Sequence, residues 1–222
     1  MKECRPLLEE IGLKRAKNGG FRIDLGPGIS GWFGIAHAYY PKAGSIILNL
    51  LVGIRDDGLE DALSRLLEGS GYTPRQAASV IFNIRTLTPE PAPALIEFRR
   101  DGISVAAHLT THDARTWALP FMQRTVDCDA LLDALLRYGS EQEQDFRVPL
   151  LHLLLGHHEE ALRSVHEAEG RGRDDSRASR AYRHFASALT IRARDGQRSL
   201  SNARWTSAAL QDLRELEIAE PD

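Results

Sequence analysis

Ser45-Ile46-Ile47-Leu48-Asn49-Leu50-Leu51-Val52-Gly53-Ile54-Arg55 is the most apolar run of the 222-residue chain. It lies between the turn formers Pro41 and Gly44 on one side and Asp56-Asp57-Gly58 on the other. A run of Ile, Leu and Val closed by turn signals at both ends is expected to be a buried central strand. The neighbouring segments read as pieces laid beside it or over it.

Upstream, Phe21, Ile23 and Leu25 alternate with Arg22 and Asp24, the period of a half-buried strand. Residues 26–31 form a turn, and residues 32–40 a second strand with aromatics at both ends. Three strands with short connections make an antiparallel meander. Residues 6–17 read as a short amphipathic helix. Pro6 suits its first turn, Leu7, Leu8 and Ile11 its apolar stripe, and Lys14, Arg15 and Lys17 its last turn.

Downstream, Leu59, Ala62, Leu63, Leu66 and Leu67 recur at helical spacing within residues 58–69. Thr73-Pro74-Arg75-Gln76 combines a cap, a first-turn proline and a capping-box glutamine. It predicts a helix to about Arg85, although Val80, Ile81 and Phe82 also suit a strand. Pro89, Pro91 and Pro93 impose an extended link. Residues 95–99 and 103–109 flank Arg100-Asp101-Gly102, a hairpin signal that would add two strands to the same sheet.

Beyond residue 110 only helices are expected. The first has the face Ala114, Trp117 and Ala118, and Pro120 ends or kinks it. Asp127 caps the next, with Leu131, Leu132, Leu135 and Leu136 inward. Ser140 and Glu143 open a third, which Pro149 kinks or divides. Gly156 joins the arms of a helical hairpin, and residues 176–194 and 199–219 are two further helices. The predicted fold is therefore α+β. A mostly antiparallel sheet flanked by helices spans residues 1–110, and an all-helical C-terminal part, residues 111–222, packs on it.

Composition bounds the function. Apolar residues make up 42% and charged residues 27%, enough to bury a core without metals or disulfides. The net charge of −3 argues against a nucleic-acid partner for the chain as a whole. No segment approaches the roughly 20 apolar residues that span a bilayer, so no membrane partner is expected. Cys4 and Cys128 are isolated thiols, and Met1-Lys2-Glu3-Cys4-Arg5-Pro6 lacks the apolar centre of a signal peptide. Both features point to a cytoplasmic protein. The preference for Arg over Lys, with abundant Ala, suggests a GC-rich bacterial genome.

Four stretches carry chemistry-bearing residues. Gly26-Pro27-Gly28-Ile29-Ser30-Gly31 has the spacing of a phosphate-binding loop, but strand-like residues follow it where a dinucleotide fold needs a helix. A hairpin loop accounts for its glycines. His108, His112 and Asp113 together suggest metal-assisted hydrolysis, yet the expected strand at His108 and helix start at His112 remove the helical spacing that a zinc site requires. His157-His158-Glu159-Glu160 falls in the turn of the helical hairpin and reads as a solvated turn. The tail separates its charges. Residues 127–169 are acidic through Asp127, Asp129, Asp133, Glu141, Glu143 and Asp145 among others, and residues 171–204 are Arg-rich. Acidic and basic helices can offset one another, or the basic helix can contact phosphates, or the acidic face can attract a basic protein.

Several strings together resemble small bacterial cytoplasmic proteins found in toxin and defence cassettes, among them immunity proteins. These are Gly20-Phe21, Leu51-Val52-Gly53-Ile54-Arg55, Leu87-Thr88-Pro89, Leu119-Pro120-Phe121-Met122 and Leu155-Gly156-His157-His158-Glu159-Glu160-Ala161. The resemblance implies a non-enzymatic, protein-binding toxin inhibitor with no catalytic residue, no metal and no cofactor, and a cognate toxin as partner. The clustered carboxylates of Asp127, Asp129, Asp133, Glu141, Glu143 and Asp145 are then the expected interface. Two alternatives stand beside it: a metal-assisted hydrolase at His108, His112 and Asp113, and a nucleic-acid-binding accessory acting through residues 171–204. The leading reading expects polar side chains spread over the exterior.

Overall fold

The computed structural model describes residues 3–17, 19–70, 78–89, 96–171 and 176–199. The fold is α+β: among the described residues it has a six-stranded antiparallel sheet and a helical C-terminal part. No helix among the described residues is long and apolar enough to cross a membrane. The chain divides into two compact units. The first comprises residues 1–57 and 75–140, the second residues 58–74 and 141–222. The helices between residues 111 and 140 thus belong with the sheet, and the helix after the central strand belongs with the C-terminal helices.

In the first unit the strands are β1 (Lys14–Arg15), β2 (Phe21–Gly26), β3 (Ile29–Tyr40), β4 (Ser45–Asp56), β5 (Val80–Asn83) and β6 (Ile96–Arg99). The order is β1-β2-β3-β4-β5, with β6 also on β4. β4 is the central strand that its sequence predicts. On one edge it pairs β3 over its whole length, from Tyr40↔Ser45 to Ile29↔Asp56. On the other it takes β5 along Leu51 to Ile54 and β6 along Ser45 to Leu48. Phe21, Phe33, Val52 and Phe82 lie opposite one another across four strands, and all four are buried. The Phe82 ring meets Phe121 edge-on at 5.0 Å and stacks on Tyr138 at 4.5 Å. These aromatic contacts bring helices onto the same face of the sheet.

Those helices are α4 (Leu119–Arg124) and α5 (Cys128–Tyr138), and α3 (Ile103–Asp113) precedes them in the chain. A π-helical turn, Ala114–Ala118, joins α3 to α4. Pro120 lies in the first turn of α4, where its missing N–H is tolerated. The wider turn before it removes the clash that a proline ring makes with a regular helix.

Several expectations need correction. Residues 103–109 are not a strand. Arg100–Gly102 is a 3-10 turn that leads into α3. The β-branched Ile103 and Val105 suggest extension, but Ala106, Ala107, Thr110 and Ala114 are buried at helical spacing while Val105 is exposed. Residues 80–83 are strand, not helix, because the open edge of β4 offers Val80 and Phe82 a cross-strand partner each. The cap at residues 73–76 lies outside the described residues. The first helix, α1, is Cys4–Glu10 and stops before Gly12, at φ +89°, so Lys14 and Arg15 are extended rather than helical.

The second unit holds α2 (Asp57–Leu66, from Gly58 on), α6 (Glu141–Leu154), α7 (His158–Gly170) and α8 (Arg177–Ser199). α6 runs through Pro149 undivided. α6 and α7 form the expected hairpin. Gly156, at φ +79°, closes α6, with the Gly156 N–H bonded to Leu153 O and the His157 N–H to His152 O. Phe146 of α6 meets Tyr182 and Phe185 of α8 at 5.3 and 5.2 Å, and the Tyr182 hydroxyl donates to Val165 O. The expected helix at residues 199–219 lies outside the described residues apart from Ser199.

At the centre of this unit Arg147, 1% exposed, grips Glu60 through two parallel bonds, Nε to Oε1 at 2.8 Å and Nη2 to Oε2 at 2.9 Å. Removing one partner strands a buried charge, whereas replacing both does not. Arg147→Ala should lower stability by about 3–5 kcal/mol in urea unfolding, and Glu60→Leu with Arg147→Met by far less. In the first unit a Cβ at Gly53 would stand 2.4 Å from Val80 O. Gly53→Ala should cost about 1–3 kcal/mol by the same measurement, because β4 and β5 must separate to admit it.

Candidate functional site

Asp127 begins the region of interest. Its backbone is extended, and its Oδ1 accepts the Ala130 N–H at 2.8 Å, so it caps α5 as its sequence predicts. Helical spacing then turns Leu131, Ala134 and Leu135 inward. Asp129, Asp133, Leu136 and Arg137 are left outward, and Asp133 bonds Arg137 at 2.9 Å. Leu136 is 55% exposed, not inward as expected, because Ala134 takes the place beside Leu135. Val126, just before the cap, is also exposed. The result is an outward strip in which Asp127, Asp129 and Asp133 lie along the chain between two exposed apolar side chains, Val126 and Leu136.

Cys128 follows the cap. Burial pushes the Cys128 thiol above its ordinary pKa, and the charges of Asp56, Asp127 and Asp129 push it further. Cys128 therefore stays protonated at neutral pH and is a poor nucleophile.

The other three carboxylates of the expected interface lie in the second unit. Glu141 is exposed, but Glu143 and Asp145 are buried. Asp145 accepts a bond from Arg171 Nη2. Glu143 and Asp145 thus face inward and offer no docking surface. The expectation that polar side chains spread over the exterior fails here: Glu60, Glu143, Asp145, Arg147 and His158 are all buried. Sequence alone could not distinguish these carboxylates from the exposed ones, since the acidic stretch continues past Arg137 from one unit into the next.

His108 and His112 both lie on α3, four residues apart and exposed, so the helical spacing dismissed from sequence does hold. Asp113 does not join them. It is buried and accepts a bond from Arg85 Nη2 at 3.1 Å. Among the described residues no group of three or more His, Cys, Asp or Glu is placed to hold a metal ion. Sequence reading missed Arg85 and the adjoining bond from Asn83 Nδ2 to Asn49 Oδ1, which secures β5 against β4. Nothing in the spacing of residues 49, 83, 85 and 113 announces them.

The glycine-rich stretch is a hairpin loop between β2 and β3. Gly26 and Gly28 take φ +149° and +75°, and strand, not helix, follows. Of the Arg-rich run, Arg171 pairs with Asp145, while Arg180, Arg183, Arg192 and Arg194 are exposed on α8. Arg173 and Arg204 lie outside the described residues.

His157 is exposed in the hairpin turn, but His158 is buried, its ring lying against Gly196 of α8. Neither of its nitrogens has a partner among the described residues. Burial lowers the pKa of His158, and burial followed by the nearby His157 lowers that of His152. Compared with protein-family models, curated proteins and solved structures, the chain matches none.

A histidine whose folded pKa is depressed contributes fully above its unfolded value, about 6.5, and progressively less as pH falls below it. The urea midpoint should therefore fall between pH 7.5 and pH 5.5. His158→Leu should flatten that dependence. An unchanged slope in the variant would show that His158 does not carry it.

Proposed function

We propose that this chain is a non-enzymatic protein-binding module that inhibits a basic partner by covering it, as an immunity protein covers its toxin. The observation that carries this reading is the outward strip of α5. Asp127, Asp129 and Asp133 are exposed there beside the apolar Val126 and Leu136. Apolar side chains within a charged surround have the make-up of a recognition surface: the apolar groups exclude water, and the charges steer encounter and reject wrong partners. The net charge of −3 adds to the attraction for a basic protein. The resemblance to bacterial immunity proteins supplies the class of partner, a toxin acting in the same cytoplasm.

The proposal separates the two jobs of the carboxylates. Asp127 holds α5 in place through its cap, whereas Asp129 and Asp133 are free of any capping duty. The full chain, immobilised, should retain a basic protein from lysates of its source cells. Asp129→Lys with Asp133→Lys should weaken that retention by roughly tenfold or more and make it less sensitive to salt. Retention unchanged by the double reversal would contradict the proposal, as would stoichiometric zinc or manganese bound at His108 and His112.

A further inference from the structure

β3 is twelve residues long, but β2 accompanies it only as far as the pair Phe21↔Phe33. There Gly20 and Gly19, at φ +74° and +90°, turn the chain away from the edge. Residues 34–40 pair with β4 on one side and with no described strand on the other. Their outer N–H and C=O groups are a template for another extended chain.

Natural edge strands are usually guarded by charge, proline or brevity. β1 is two residues of Lys and Arg, and the short β6 carries Glu97 and Arg99. The edge Gly34-Ile35-Ala36-His37-Ala38-Tyr39-Tyr40 has no Lys, Arg, Asp, Glu or Pro. Residues 36–40 are all exposed, including Tyr39 and Tyr40 at 54% and 51%.

We infer that this edge pairs with the same edge of a second copy, antiparallel and about a two-fold axis at His37. The open window sets that register, since it is bounded by the departure of β2 at residue 33 and by the hairpin tip at residue 41. Gly34 then faces the partner's Tyr40, Ile35 its Tyr39, and Ala36 its Ala38. The two exposed tyrosines thereby gain occupants. Tyr39 meets a β-branched side chain, a favourable cross-strand pair. Tyr40 comes to lie beside the Trp32 ring, which already covers Gly34. No carboxylate or ammonium is buried by the pairing, and the two sheets become one.

This surface is separate from the α5 strip, so dimerisation and partner binding fail independently. Sedimentation equilibrium of the full chain at about 50 µM should give twice the chain mass. Ala36→Lys with Ala38→Lys sets like charges directly opposite, twice by symmetry, and should weaken the dimer by roughly tenfold or more. Ala36→Lys with Ala38→Glu instead sets each new ammonium opposite a new carboxylate of the other copy and should restore the dimer. Both alanines are exposed, so the monomer's circular dichroism and melting should stay unchanged in each variant. In the unmodified protein, amide exchange at residues 34–40 should slow as concentration rises. A monomer at 50 µM would overturn the inference, even one whose edge takes up an extended peptide from another protein. So would a dimer indifferent to the double lysine substitution, one not restored by the lysine–glutamate combination, or exchange at residues 34–40 independent of concentration.

Discussion

β4 has two edges, and the first unit is built by filling both. One edge is taken by β3 without interruption. The other is shared, with β5 on Leu51 to Ile54 and β6 on Ser45 to Leu48. Two segments separated in sequence by a proline-bearing link thus converge on one strand. Side chains follow from that pairing. Because alternate residues share a face, Leu48, Leu50, Val52 and Ile54 are all buried on the side that receives the helices. A slip of one residue would turn these four to the other face, so the apolar pattern fixes the register.

The second unit rests on a different kind of contact. Its helices enclose an ion pair between Glu60 and Arg147, with Asp145 and Arg171 as a further pair. Such pairs gain little net stability over apolar packing but penalise any arrangement that leaves one member alone. They select one packing of α2 with α6. Arg171 also draws Asp145 away from the surface. Of the six carboxylates, Asp127, Asp129 and Asp133 on α5 and Glu141 on α6 stay exposed.

Legibility in the sequence followed the range of the interactions. The central strand, the β2–β3 turn, the Asp127 cap and the Gly156 hairpin were readable because a few adjacent residues decide each of them. Residues 80–83 and 103–109 were misread because their outcome depends on distant partners. Val80 and Phe82 become strand only since β4 has room beside it, and residues 103–109 become helix since Ala106 and Ala107 are the small side chains that fit against their neighbours. The carboxylates divided in the same way. Asp127 announces its cap locally, whereas the burial of Asp145 depends on Arg171, and the diversion of Asp113 from His112 depends on Arg85.

The centrality of β4 is most directly tested by amide hydrogen exchange along the chain. Flanked by β3 and β5, the amides of Leu51 to Ile54 should be among the slowest in the first unit, exchanging only when that unit unfolds as a whole. Exchange there as fast as in the exposed stretch at residues 41–44 would contradict the account, since β4 would then be neither buried nor paired on both sides.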